Sequence, residues 1–240
     1  LSTLKMILMY AEEQGYPVMN AELIRNPKKK KHEVNVIPGG VISQLEEILL
    51  SSDDRISLGI LLTLHTGIRN GELCGLRWGD CDFSSGTISI YRTVERIKDL
   101  TPLAEHKTKV VITEPKTESS KREIPLPKTL CLYLRSHQGA ADEYLLTGTD
   151  KPSEPHTLYV RYERFLRRNG FESYTFHAIR HTFATRGIAS GFDAKSLSEI
   201  LGHSDVTTTL RCYVHPSMEE KRSQMETLFN EKIRGQKYGT

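Results

Sequence analysis

A chain of 240 residues that is 38% hydrophobic and 26% charged can bury one good-sized core, with material left for a fragment of a second domain. Its longest apolar run, Ile56 to Leu64 broken by Ser57 and Gly59, is far too short to span a bilayer, and no secretory-signal pattern opens the chain. A net charge of +3 permits a nucleic-acid partner without demanding one, and Cys74, Cys81, Cys131 and Cys212 lack C-x-x-C spacing or disulfide density, so they read as small buried thiols in a reducing compartment.

In chain order, Leu4 to Glu13 has helical period and is ended by Gly15-Tyr16-Pro17. It reads as the last helix of a larger domain. The run Asn26-Pro27-Lys28-Lys29-Lys30-Lys31-His32 is a basic, helix-breaking linker, which places a boundary near residue 35. Val41 to Leu50 and Arg55 to His65 are amphipathic helices, the second apolar nearly all round and therefore central to the core. It ends at Thr66-Gly67, and the next helix begins at Arg69, which puts Arg69 at a tight corner with Glu72 three residues on. Taken alone, that pair is an ordinary surface ion pair.

From Thr87 the pattern turns to alternation, with strands expected over Thr87 to Tyr91, Val110 to Thr113 and Arg122 to Leu126. Lys116 lies in the turn between the last two. After Pro127 the chain returns to helix, and Leu158, Tyr162, Phe165 and Leu166 form an apolar stripe opposite Arg161, Arg164, Arg167 and Arg168. A final helix is expected from Ser217 to Ile233, with Met218, Met225, Leu228 and Phe229 as its apolar side.

The densest chemistry lies between Thr175 and Pro216. His177 and Arg180 are three residues apart and so share a helix face. Gly187 and Gly191 break that helix; Asp193 or Ser196 caps the next, with Glu199 available as a capping-box carboxylate, and Gly202 ends it just before His203. Ser204 and Asp205 can cap one more short segment, which carries Tyr213. His181 reads as packing or as support for its neighbours, and Tyr174 as core. No G-x-x-x-x-G-K-[ST] motif or acidic triplet for a divalent metal is present, so neither cofactor nor metal is expected.

A lone H-x-x-R is a weak signal; the ordered set is not. Arg69 in H-T-G-I-R-x-G-E-L, Lys116 in K-T-x-S-S-K-R-x-I-P-L, His177 and Arg180 in H-A-I-R-H-T-F-A-T, His203 in L-G-H-S and Tyr213 in Y-V-H together resemble the catalytic domain of the tyrosine recombinases, the phage-integrase family. The lysine-turn phrase looks most like integrases of conjugative transposons. One departure stands out: ten residues separate His203 from Tyr213, where nine are common in the family.

The resemblance implies a mainly α fold with a small three-stranded antiparallel sheet. It divides the chain into residues 1–25, the end of a truncated core-binding domain; 26–35, a basic linker; 36–216, the catalytic domain; and 217–240, a tail that docks on a neighbouring subunit. It implies site-specific cutting and rejoining of DNA for a mobile element through a 3′-phosphotyrosyl intermediate, without ATP. Tyr213 is then the nucleophile, Arg69, Arg180 and His203 stabilise the phosphate, His177 is the base, Lys116 the acid, and Glu72 orients the Arg69 corner. Double-stranded DNA, a homotetramer on two synapsed sites and an accessory directionality factor are the implied partners, in a bacterial cytoplasm and on DNA. A non-catalytic DNA-binding protein on the same fold and a type IB topoisomerase-like relaxer are the alternatives.

Overall fold

The computed structural model describes residues 2–19, 23–24, 35–101, 107–114 and 120–213 and, nearer the C-terminus, 218–219, 221–223, 225–226 and 229. The chain divides into two compact units, Leu1–Glu33 and Val34–Thr240. In the first, α1 (Ser2–Glu13) ends two residues before Gly15, whose φ of 78° glycine adopts without strain. No helix among the described residues is long and apolar enough to cross a membrane.

The second unit opens with α2 (Gly39–Leu50), which buries Ile42, Leu45 and Leu49 as a single stripe. In α3 (Arg55–Thr66), Asp54 caps the first turn by accepting from the Ile56 amide at 3.1 Å, and every residue from Ile56 to Leu64 is buried. Helices that surround it on several sides explain this. It packs against α2, α6 (Pro155–Arg168) and α7 (Phe176–Ala189), and its buried Thr63 and Thr66 hydroxyls donate back to the Gly59 and Leu62 carbonyls. Gly67, left-handed at φ 64°, turns the chain sharply into α4 (Asn70–Cys74).

A three-stranded antiparallel sheet follows, in the order β1 (Cys81–Asp82), β2 (Thr87–Ile90), β5 (Arg122–Pro125), with Ile88 opposite Ile124. The strand expected over 110–113 is not part of it. It forms β4 (Thr108–Thr113), paired with β3 (Thr93–Lys98) in a separate two-stranded ribbon. Beyond the buried Val94 the residues of this ribbon are half-buried or exposed, so β3 offers no apolar face for a periodicity search to find, while the β-branched run of β4 still reads as strand.

The remaining helices are α5 (Lys128–Ser136), which buries Leu130, Cys131 and Leu134, then α6 and α7, α8 (Ala194–Leu201) and α9 (Val206–Tyr213). Helix α7 runs through Gly187 instead of stopping there, because Gly187 lies against Leu197 and Phe192, where a glycine permits close approach. The stop comes at Ser190-Gly191. Of the two possible caps of α8, Asp193 is the one used, accepting from the Lys195 and Ser196 amides at 3.0 and 2.9 Å, while Glu199 lies inside the helix. Helix α8 packs on α7, α9 and β5, so the second half of the unit gathers around its C-terminal end. All four cysteines are free thiols.

Candidate active site

The site is built on the last turn of α8. A helix leaves its final carbonyls without intrahelical partners, and these form the negative end of its dipole. Here three consecutive carbonyls each accept from a different guanidinium. Ile200 accepts from Arg122 Nε at 2.6 Å, Leu201 from Arg180 Nη2 at 2.7 Å and Gly202 from Arg69 Nη2 at 2.6 Å. Gly202 can turn the chain away at once because it is left-handed, at φ 65°.

Arg69 reaches this point from the corner between α3 and α4. Its backbone amide donates to Glu72 Oε2 at 3.0 Å and its Nη1 donates to Glu72 Oε1 at 2.7 Å, which fixes the side chain from both ends. Arg180, only 3% exposed, projects from the first turns of α7 and also donates to the Gly67 carbonyl at 2.7 Å. It thereby ties the end of α3 to the end of α8. Burial first, and the charge of Arg69 next, lower its pKa to about 9, so it stays a cation at neutral pH.

Glu72 is the counter-ion for this cluster. Burial would raise its carboxyl, but hydrogen bonds and charge from Arg122, then from Arg69, outweigh that and hold it at about 2. Arg122 meets it with two parallel bonds, Nη1 to Oε1 at 3.0 Å and Nη2 to Oε2 at 2.9 Å. Reading the sequence alone missed Arg122. A signal was available: Arg122 and Ile124 lie two apart on β5 and so share a face, and Ile124 is buried.

His203 follows Gly202 directly, with its amide bonded to the Ser198 carbonyl at 3.0 Å and its Nδ1 against the buried Thr209 hydroxyl at 2.8 Å. Burial, then Arg180, Arg69 and Arg122, lower its pKa to about 4. His177 shares an open cleft of about 330 Å³ with Arg69, Tyr159 and Arg180. Its pKa is lowered by burial, then by Arg180 and Arg69. Neutral imidazoles beside fixed cations are the result.

Tyr213 ends α9, packed in a small cluster with Ala184, Leu197 and Leu201, and burial raises its phenol to about 12. Its hydroxyl is hydrogen-bonded to Nδ1 of His181, which the sequence reads as packing or as support for its neighbours. His181 is one turn beyond His177 on the same helix face, and the two rings meet edge to face at 4.4 Å. The structure thus brings Arg69, Glu72, His177, Arg180, His203 and Tyr213 into one linked cluster, while Lys116 lies outside the described residues. Tyr174 is in the main core.

Residues 41–220 match the phage integrase family. The tyrosine recombinase XerC-like protein of Caldanaerobacter subterraneus subsp. tengcongensis is 31% identical over 94% of this chain and 63% of its own length. The transposase from transposon Tn916 of Enterococcus faecalis is 27% identical over 72% of this chain and 45% of its own. The chain therefore spans less than two thirds of either protein. Among solved structures, the Tn1549 transposon integrase in complex with transposon right end DNA is similar over 92% of this chain and 75% of its own, with a TM-score of 0.73 at 23% identity, a likeness of fold.

Proposed function

Because the chain belongs to the phage integrase family, the tyrosine recombinases, we propose that it carries the catalytic machinery of a site-specific recombinase that cuts and rejoins DNA for a mobile genetic element. One observation carries this reading: Arg69 and Arg180 converge on the end of α8, His203 emerges there, and Tyr213 returns to the same cluster one short helix later.

The proposed reaction transfers a DNA phosphoryl group to Tyr213, leaving a 3′-phosphotyrosyl link and a free 5′-hydroxyl. Such a link conserves the energy of the diester, so rejoining requires no nucleotide. The pentacoordinate transition state carries more negative charge than the diester, and preorganised donors answer it. Arg69 and Arg180 each spend part of their fork on backbone carbonyls, and their remaining N–H groups are the donors proposed for the nonbridging oxygens. With Thr209 at its Nδ1, His203 has Nε2 left to donate to the same phosphate. Removing one such donor costs on the order of 10²–10³ in rate. A phenol held at about 12 must give up its proton as the O–P bond forms, and neutral imidazoles, His177 among them, are the bases at hand. Lys116 is assigned the proton for the departing 5′-oxygen by resemblance.

The proposal extends to duplex DNA as the partner, four copies on two synapsed sites, and an accessory factor that sets direction. Residues 1–25 are assigned to a core-binding domain, 26–35 to a linker, 36–216 to the catalytic domain and 217–240 to a docking tail. Met218, Met225 and Phe229, more than half exposed, support the last assignment. The test uses the full-length protein and a nicked suicide DNA carrying the element's end. Wild type is expected to form an adduct stable on a denaturing gel, and Tyr213→Phe to bind the DNA without forming one. Binding by wild type with no adduct would favour a non-catalytic DNA-binding protein.

A further inference from the structure

We propose that His181 is a catalytic residue, the group that orients the Tyr213 hydroxyl and takes its proton during strand cleavage. The inference rests on the recombinase reading and adds to it a residue that the ordered motif leaves unassigned.

The Tyr213 hydroxyl, the atom that would form the bond to phosphorus, is hydrogen-bonded to His181 Nδ1, and the two rings lie 5.7 Å apart, tilted by 52°. Tyr213 is 8% exposed, so water is a poor alternative acceptor. His181 sits directly after Arg180 on α7, so the helix that aims a guanidinium at the phosphate also fixes the base at the nucleophile. His177 meets the His181 ring edge to face at 4.4 Å and lines the cleft with Arg69 and Arg180. The two imidazoles therefore divide the site, His181 on the phenol and His177 toward the phosphate.

The surroundings favour a neutral His181. Among the described residues, the titratable groups found to interact with it are His177, Arg180, His203 and Tyr213, and none of these is a carboxylate. Burial first, then His177 and Arg180, lower its pKa to about 4, so it accepts a proton at neutral pH. The Tyr213 hydroxyl donates to Nδ1 in the resting state. In cleavage, the phenolic oxygen bonds to phosphorus, the proton passes to His181 Nδ1, the bond from phosphorus to the 5′-oxygen breaks, and that oxygen is protonated by the acid assigned to Lys116. Rejoining runs these transfers backwards, with His181 returning the proton to the phenol.

The experiment measures single-turnover adduct formation by full-length protein at saturating concentration on suicide DNA. His181→Asn keeps an acceptor near Nδ1 but cannot take a proton, and His181→Phe removes both functions. Both are expected to slow cleavage by about 10²–10³ with DNA affinity unchanged. A fluorinated, more acidic tyrosine at position 213 should restore His181→Asn by at least about 10-fold, because the missing base then matters less. A 5′-bridging phosphorothiolate, whose sulfur leaves without an acid, should restore neither variant. Wild-type rates in His181→Asn, or rescue by the sulfur substrate, would overturn the proposal. Thermal melting identifies a variant that fails to fold, and His181→Asn, close in size to histidine, keeps the test decisive if His181→Phe does. Tyr213→Phe runs in parallel. If wild type forms no Tyr213-dependent adduct, the recombinase reading falls and this proposal with it. If it does and His181→Asn matches it, only this proposal falls.

Discussion

Glu72, with a side chain 4% exposed, sits between the guanidiniums of Arg69 and Arg122, and the Arg122 side chain is itself 6% exposed. Neither member of the buried pair can be removed without leaving the other poorly compensated. Glu72→Gln keeps the shape but turns an NH₂ group toward donors, and should destabilise the second unit by about 3–5 kcal/mol, read from urea denaturation. A loss below about 1 kcal/mol would contradict the account. The sign with pH is also set. The Glu72 carboxyl lies at about 2 when folded against 4.5 as its ordinary value, so its contribution is complete above 4.5 and is lost as pH falls toward 2. At this scale the ordered motif made Arg69, His177, Arg180, His203 and Tyr213 legible. Arg122 and His181 were not, because a basic strand residue and a histidine within a helix most often do nothing chemical. Only their partners distant in sequence, Ile200 and Glu72 for one and Tyr213 for the other, give them roles.

At the level of elements, the end of α8 is the organising feature, and its geometry depends on Gly202. A Cβ there would adopt a left-handed conformation and would lie 2.8 Å from Arg122 Nη1. Gly202→Ala should cost about 1–2 kcal/mol from the backbone alone. It should also lower adduct formation at least about 10-fold with little change in DNA affinity, since all three carbonyls that hold the arginines belong to this turn. Equal losses of binding and cleavage would contradict that. Gly202 and His203 were readable because a glycine after a periodic stretch is a specific stop signal. Gly187 was misread by the same rule, as sequence does not separate a glycine that ends a helix from one that admits Leu197. Strand β3, and its pairing with β4 apart from the main sheet, escaped notice because a two-stranded hairpin with little buried surface needs no apolar alternation.

For the second unit as a whole, gathering cations around neutral imidazoles has a thermodynamic consequence. His65, His177, His181 and His203 are all held below the ordinary histidine value, by burial first in each case. Between about 4 and 6.5 the unfolded chain therefore binds more protons than the folded one, and stability falls as pH drops through that window. The urea midpoint should be lower at about pH 4.5 than at pH 7, and the difference should shrink in a His181→Gln, His203→Gln double variant. Equal midpoints at the two pH values would contradict the burial of these rings. The mainly helical class and the central place of α3 were legible at this scale because an all-round apolar helix has few places to go. The convergence of the Arg69 corner, β5 and α7 on the end of α8 was not, as it depends on packing between segments up to 133 residues apart.

The most direct measurement is the identity of the linked residue. Full-length protein is trapped on suicide DNA, digested with protease and nuclease, and the surviving peptide–nucleotide is sequenced by mass spectrometry. The account predicts a single 3′-phosphonucleotide on Tyr213. A nucleotide on Tyr174, on any other residue, or on none would contradict it.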